Sequence, residues 1–311
     1  MCIGSGSSVF WPKPLIISCV TSSQPDSAVG LPPNSSDAGT GWDVDTEDLP
    51  RQTAGYFLRI GSIYVHGQPT PAEKPDDAPD MLNFCAFLET KLEQAGKIPK
   101  RDRTRERLRI AAVRVLDERG YHTMRAIDVT EAAGLAEGSF YVYFKSKLDI
   151  SVDILQSYFL EFLSLAAASD RGMGRLEAIQ AVNRRWLQVA AANPGITRCV
   201  LQTSSEVPEI AELVTRFDRV WNERVLAGAE RRGGAEVSLL AVHMLGGMMD
   251  EITRRLLVYP DPQLVAKVQD VGADLDAVAD AASAVWHRIL YPGLPLDAEL
   301  SDPARALAGR L

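Results

Sequence analysis

A chain of 311 residues with only four cysteines and four histidines has little from which to build a disulfide framework or a metal centre. Cys2, Cys19, Cys85 and Cys199 form no CxxC pair, and His66, His122, His243 and His287 show no ligand spacing. A reduced, cytoplasmic setting is the expectation. No apolar run approaches the 18 or so residues of a membrane span, so no membrane is expected as a partner. Leu15 to Cys19 has the look of a lipoprotein cleavage site, but it lacks a basic leader and Pro12 and Pro14 interrupt the approach. Catalytic signatures are missing too: there is no HExxH, no Glu-x-x-His pair, no glycine-rich phosphate loop and no nucleophile elbow. The expectation is therefore no catalytic residue, no metal and no cofactor.

Proline is also unevenly spread, with ten of 18 in residues 1–80. That stretch, rich in Ser, Gly and Asp, offers little apolar surface to offset the entropy of ordering and reads as a disordered leader. Tyr56 to Val65 could form one strand without an evident partner. The compositional break makes Met81 a candidate start of translation. Residues 81–100 read as a helical linker or arm.

What is present is helical periodicity. Leu108, Ala111, Ala112, Val115 and Leu116 fall on one helix face, ending before Gly120. Two short helices, about Arg125–Ala133 and Glu137–Phe144, flank Gly134-Leu135. Longer ones follow over about Leu148–Ala168, Leu176–Asn193, Ile196–Ser204, Ile210–Arg232, Glu236–Val258 and Ala273–Leu290. No alternating strand pattern appears after residue 101, so the fold class expected is all-α, with about nine helices.

Charge singles out one segment. The net charge of −8 hides a net of −7 over residues 1–96, +5 over 97–147 and −6 over 148–311. A basic island in an acidic protein is expected where only that island meets phosphate. It coincides with the two short helices, whose Gly-containing turn is the pattern of a helix-turn-helix. Ser139, Tyr141, Tyr143, Lys145 and Lys147 supply donors for phosphate oxygens. Taken singly, these residues are as well read as the core and solvated end of a small helical bundle.

The run Ala133-Gly134-Leu135-Ala136-Glu137-Gly138-Ser139-Phe140-Tyr141-Val142-Tyr143-Phe144-Lys145-Ser146-Lys147, with Asp128-Val129 upstream, resembles the N-terminal domain of the TetR family of bacterial repressors. The likeness is specific over about 47 residues; downstream it is one of pattern only. It implies a helix-turn-helix DNA-binding domain over 101–147, a helical ligand-binding and dimerisation domain over 148–292, and a C-terminal tail over 293–311. It further implies a ligand-responsive regulator, most simply a repressor, that binds palindromic double-stranded DNA as a homodimer. Carried over by position, Glu137 and Ser139 approach bases or nearby phosphates, with Gly138 between them. Tyr141, Tyr143, Lys145 and Lys147 hold the backbone, and Thr123 touches phosphate.

Two departures bear on this. Where the family places Ser or Thr caps, this chain has Arg125 and Ala136, which predicts fraying unless Thr123 caps the second helix. Glu137 either accepts from a cytosine amino group or repels phosphate. These departures support the rival reading, a helical small-molecule-binding or adaptor protein whose helix-turn-helix no longer reads DNA.

For the sensing part, Trp186, Cys199, Phe217, Trp221, His243, Met244 and Met248 are candidate pocket residues, although aromatic and Met side chains at helical spacing are more often simple core. An apolar or aromatic effector of unknown identity follows. Helices 236–258 and 273–290 are the expected dimer contacts, with Ala241, Gly246 and Gly247 permitting close approach.

Overall fold

The computed structural model describes residues 82–163, 172–234 and 237–309. The leader, its strand and the start at Met81 lie outside them, as do residues 164–168 of the fourth expected helix. Among the described residues the chain is entirely helical, with twelve helices rather than nine.

The reading region is built from α1 (Phe84–Gln94), α2 (Lys100–Thr123), α3 (Ala126–Ala132), a 3-10 turn Glu137–Ser139 running into α4 (Phe140–Tyr143), and α5 (Lys147–Ser157), which continues through a π turn Tyr158–Phe162. The remainder comprises α6 (Arg175–Ala192), α7 (Pro194–Thr203), α8 (Pro208–Arg231), α9 (Leu239–Thr253) with a π turn Arg254–Val258, α10 (Pro262–Asp270), α11 (Leu275–Leu290) and α12 (Asp302–Ala308). The helices beyond the expected nine are α1, α10 and α12.

Two apolar cores organise these elements. The first joins Leu108, Leu116, Val129, Phe140, Phe144, Ile150 and Ile154 to Ile196, Cys199 and Ile210. Residues 81–100 are no linker or arm: α1 drives Phe84 and Phe87 into this core, where they meet Phe162 at ring separations of 5.5 Å. Asn193 fixes that helix by accepting from Phe84 N (2.7 Å) and donating to Leu82 O (2.8 Å). The two bonds give the N-terminus of α1 a partner from the end of α6.

The second core packs Leu187, Leu245, Met249, Val278, Ala282, Trp286 and Leu290. Here residues 293–311 are not a free tail. Asp297 accepts from Arg175 N (2.7 Å) and Leu176 N (2.9 Å), capping α6 where Gly174 has no side chain to do so. Ala304 of α12 is fully buried. With α6 on one side and α12 on another, α11 is buried from Ala277 to Ala284 around its circumference. Over 277–284 the helix assigned to a dimer contact is thus enclosed within the protomer, its small alanines serving close internal packing, while Arg288 and Ile289 near its end are exposed.

Within the first core, α2 crosses α7 closely. Gly195 N donates to Asp117 Oδ1 (2.7 Å), and a Cβ at Gly195 would fall 2.4 Å from Asp117 N. That approach admits only glycine.

Candidate nucleic-acid interface and effector cavity

Gly134 adopts φ +64°, the left-handed conformation that reverses the chain between α3 and the next turn. Leu135 N returns to Thr130 O (2.9 Å), and the Arg107 guanidinium donates to Ala133 O (2.5 Å), tying the turn to α2. Phe140 and Phe144 anchor α4 in the first core at 0% and 2% exposure. Because they point inward, Tyr141 and Val142 between them face solvent at 64% and 65%. Ala136, Glu137 and Gly138 are exposed beside them, and Ser139 is half-buried. An exposed aromatic and an exposed Val on a projecting turn are what a groove-facing surface requires. Val142, which sequence reasoning passed over, offers a methyl-sized contact suited to thymine.

The third helix of the motif opens as a 3-10 turn, Glu137–Ser139, before four α-helical residues, and Ala136 supplies no side-chain cap at its start. The second start is compensated differently. Asp128 reaches back to accept from Arg125 N (2.9 Å), and the Arg125 and Arg119 guanidiniums both lie 2.8 Å from Asp128 Oδ1. The Arg125 hydrogen bond, with the neighbouring arginines, holds the Asp128 carboxyl below the ordinary carboxylate range. Thr123 does not cap α3: its hydroxyl bonds back to Arg119 O, although the residue itself remains exposed.

Basic residues divide into two groups. Lys145 is exposed, with its backbone N–H held by Asp149 (2.8 Å). Lys147 is instead half-buried, its ammonium donating to Tyr121 O (3.1 Å) and His122 O (3.0 Å) over the Tyr121 ring. It clamps α5 to the end of α2. Tyr143 is likewise half-buried against the first core.

The second site is a cavity of about 220 Å³ bounded by α6, α8, α9 and α11. Of the expected residues it brings together Trp186, Phe217, Trp221 and His243. Three others are elsewhere. Cys199 is wholly buried in the first core, where burial pushes its thiol up to about 11. Met244 projects outward at 65% exposure, and Met248 packs beside the second core. The helical phase explains this: α9 turns His243, Gly246 and Asp250 toward α8, leaving Met244 on the opposite side.

Sequence reasoning missed Asn183, Asp218, Asn222, Asp250 and Trp286, all of which line the cavity. Asp218 and Asp250 carry no periodic signal that separates them from charges on a solvated face. Desolvation of its carboxyl pushes Asp250 up to about 6, helped by Asp218 and opposed by Arg254; Asp218 is raised by the same desolvation. The Asn222 amide lies 3.2 Å from His243 Nε2, and Trp186 Nε1 donates to Thr253 (3.2 Å).

Residues 109–152 match the family model for bacterial regulatory proteins of the tetR family. Over 53 residues the chain is 38% identical to the fatty acid metabolism regulator protein of Bacillus subtilis, covering 17% of this chain and 27% of that protein. Over 109 residues it is 28% identical to the nucleoid occlusion factor SlmA of Glaesserella parasuis, covering 34% and 54%. The chain thus spans about a quarter and about half of the length of these two relatives. The solved fatty acid degradation regulator FadR from Bacillus halodurans aligns with 62% of this chain and 96% of its own at 23% identity, with a TM-score of 0.47. The match to the tetR family of bacterial regulatory proteins thus lies in the helix-turn-helix segment, residues 109–152.

Proposed function

We propose that the protein is a homodimeric, ligand-responsive regulator of transcription, most simply a cytoplasmic repressor, that grips duplex DNA with two copies of the α3–α4 head. The observation that carries this is the exposed surface of Glu137, Tyr141, Val142 and Lys145, raised on a turn whose Phe140 and Phe144 are sunk in the core. A helix that stands clear of its supports can enter a major groove about 12 Å wide.

Pairing is supported by α9. Leu240 and Met244 are 69% and 65% exposed, so one apolar face of this helix lacks a covering partner among the described residues of the protomer. Val220 of α8 is a further exposed apolar side chain, at 44%. A two-fold contact through α8 and α9 presents two heads to successive grooves about 34–36 Å apart. Effector release then needs a molecule that binds the cavity more tightly in one head spacing than in the other. The aromatic lining supports an aromatic or apolar effector.

Selection of bound duplexes from a random pool is the direct test. The expected result is an inverted repeat whose affinity falls steeply with salt. Failure to enrich any sequence would favour the adaptor reading, for which the internal engagement of Lys147 is the specific support.

A further inference from the structure

The cavity has an uneven chemistry. Trp286, only 3% exposed, is the most deeply buried of its aromatic side chains, and its indole N–H has no hydrogen-bond partner among the described residues. Trp186 and the stacked pair Phe217 and Trp221 provide further aromatic surface. Asp218 from α8 and Asp250 from α9 retain solvent exposure, so acid lies toward the opening and aromatic rings lie deeper. Neither carboxylate has an ion-pair partner or a hydrogen bond among the described residues. Aromatic faces attract cations through their quadrupoles, and a desolvated carboxylate without a partner gains most from a positive charge.

We infer that the cavity selects a cationic aromatic effector, its charge taken between Asp218 and Asp250 and its ring set against the tryptophans. This rests on the reading of the cavity as the effector site and names the class of molecule it takes. Asp218 lies close enough to raise Asp250, a repulsion that a bound cation relieves. Binding must also draw the proton from Asp250, so affinity for the cation rises as pH climbs through about 6. The charged or titratable groups facing Asp250 are Asp218 from α8, with His243 and Arg254 from α9 and its π turn. The walls from α6 and α11 contribute the neutral Asn183, Trp186 and Trp286.

The test titrates the full chain, followed by tryptophan fluorescence, with benzyltrimethylammonium and with neopentylbenzene, its uncharged isostere; phenylacetate is the anionic arm. The cation should quench saturably and bind roughly tenfold tighter than the hydrocarbon, as cation–π contact and a carboxylate together allow. The double variant Asp218→Asn, Asp250→Asn should weaken that preference to what the aromatic faces alone supply, with a smaller effect on the hydrocarbon. Equal binding of cation and hydrocarbon, or a preference undiminished in the double variant, would overturn the cationic assignment while leaving an effector site. Binding of none of the three overturns both. Duplex selection without effector reports separately on the regulator reading.

Discussion

The two cores of this protein are packed to different standards. Around the head, Phe84, Phe140, Leu108, Leu116, Ile150 and Ile154 are sealed from solvent and interlocked with a cluster of aromatic rings. Around the sensor, helices rich in alanine close tightly on one side, yet leave a hollow on the other, where the Trp286 indole N–H has no hydrogen-bond partner among the described residues. A reading head must present fixed donors to DNA, whereas a sensor must keep space for a guest and two ways of filling it. The contrast predicts that the same kind of substitution has unequal consequences in the two regions.

The largest effect belongs to the head. Phe140→Ala empties a fully enclosed site and should cost about 3–5 kcal/mol, measured as a shift of the urea midpoint. Operator affinity should collapse with it, because Tyr141 and Val142 are aimed by that anchor. A shift below 1 kcal/mol would show that the head is not the rigid region argued above.

Next comes the crossing of α2 and α7. Gly195→Ala places a methyl group where Asp117 N already stands, so α7 must draw back from α2. Overpacking of this kind costs about 1–3 kcal/mol. Since α7 follows directly on the cavity-lining α6, the variant should also change how far effector weakens DNA binding, read by titrating operator with and without effector. Unchanged coupling would place the transmission elsewhere.

How much of this was legible beforehand follows from the physics of each part. The helices of the head were readable because periodicity and a left-handed glycine at Gly134 are local properties. The anchoring role of α1 was not, because its N-terminal partner is Asn193, some 110 residues away. Cys199 looked like cavity wall and is core, while Trp286 looked like dimer contact and lines the cavity. Which face of a helix meets which neighbour is a tertiary fact that periodicity leaves open. The missing caps were read correctly as missing, but the remedy, an acid at Asp128 reaching back between two arginines, needs geometry to be seen.

Carboxylates sharpen the comparison, because one in each region is shifted in opposite directions. Asp128 in the head is held down by its arginine partners. Its contribution is present above the unfolded carboxylate value and is lost as pH falls through the lower folded value. Asp128→Asn should therefore destabilise the protein by about 1–2 kcal/mol at neutral pH, the range for a hydrogen bond to a charged group. The difference from the parent should shrink as pH falls below about 4.

Asp250 in the sensor should give the smallest effect, and one of the opposite sign. Its folded value of about 6 stands above its ordinary value of 3.8. Below about 4 the group is protonated in both folded and unfolded chains and contributes no difference. As pH rises from about 4 to about 6 the unfolded chain ionises first, so the folded protein loses stability, and above about 6 that loss is constant. Asp250→Asn removes the penalty. The variant should melt a degree or more higher than the parent at pH 8 and at the same temperature near pH 3.5, as followed by circular dichroism. A gain in stability that appears only where the acid is charged marks Asp250 as a residue kept against the interest of the fold, which is what a site awaiting a positive charge requires. If Asp250→Asn instead melts lower at pH 8, the carboxylate is already satisfied in the empty protein, and the contrast between a settled head and an unsettled sensor fails at its most sensitive point.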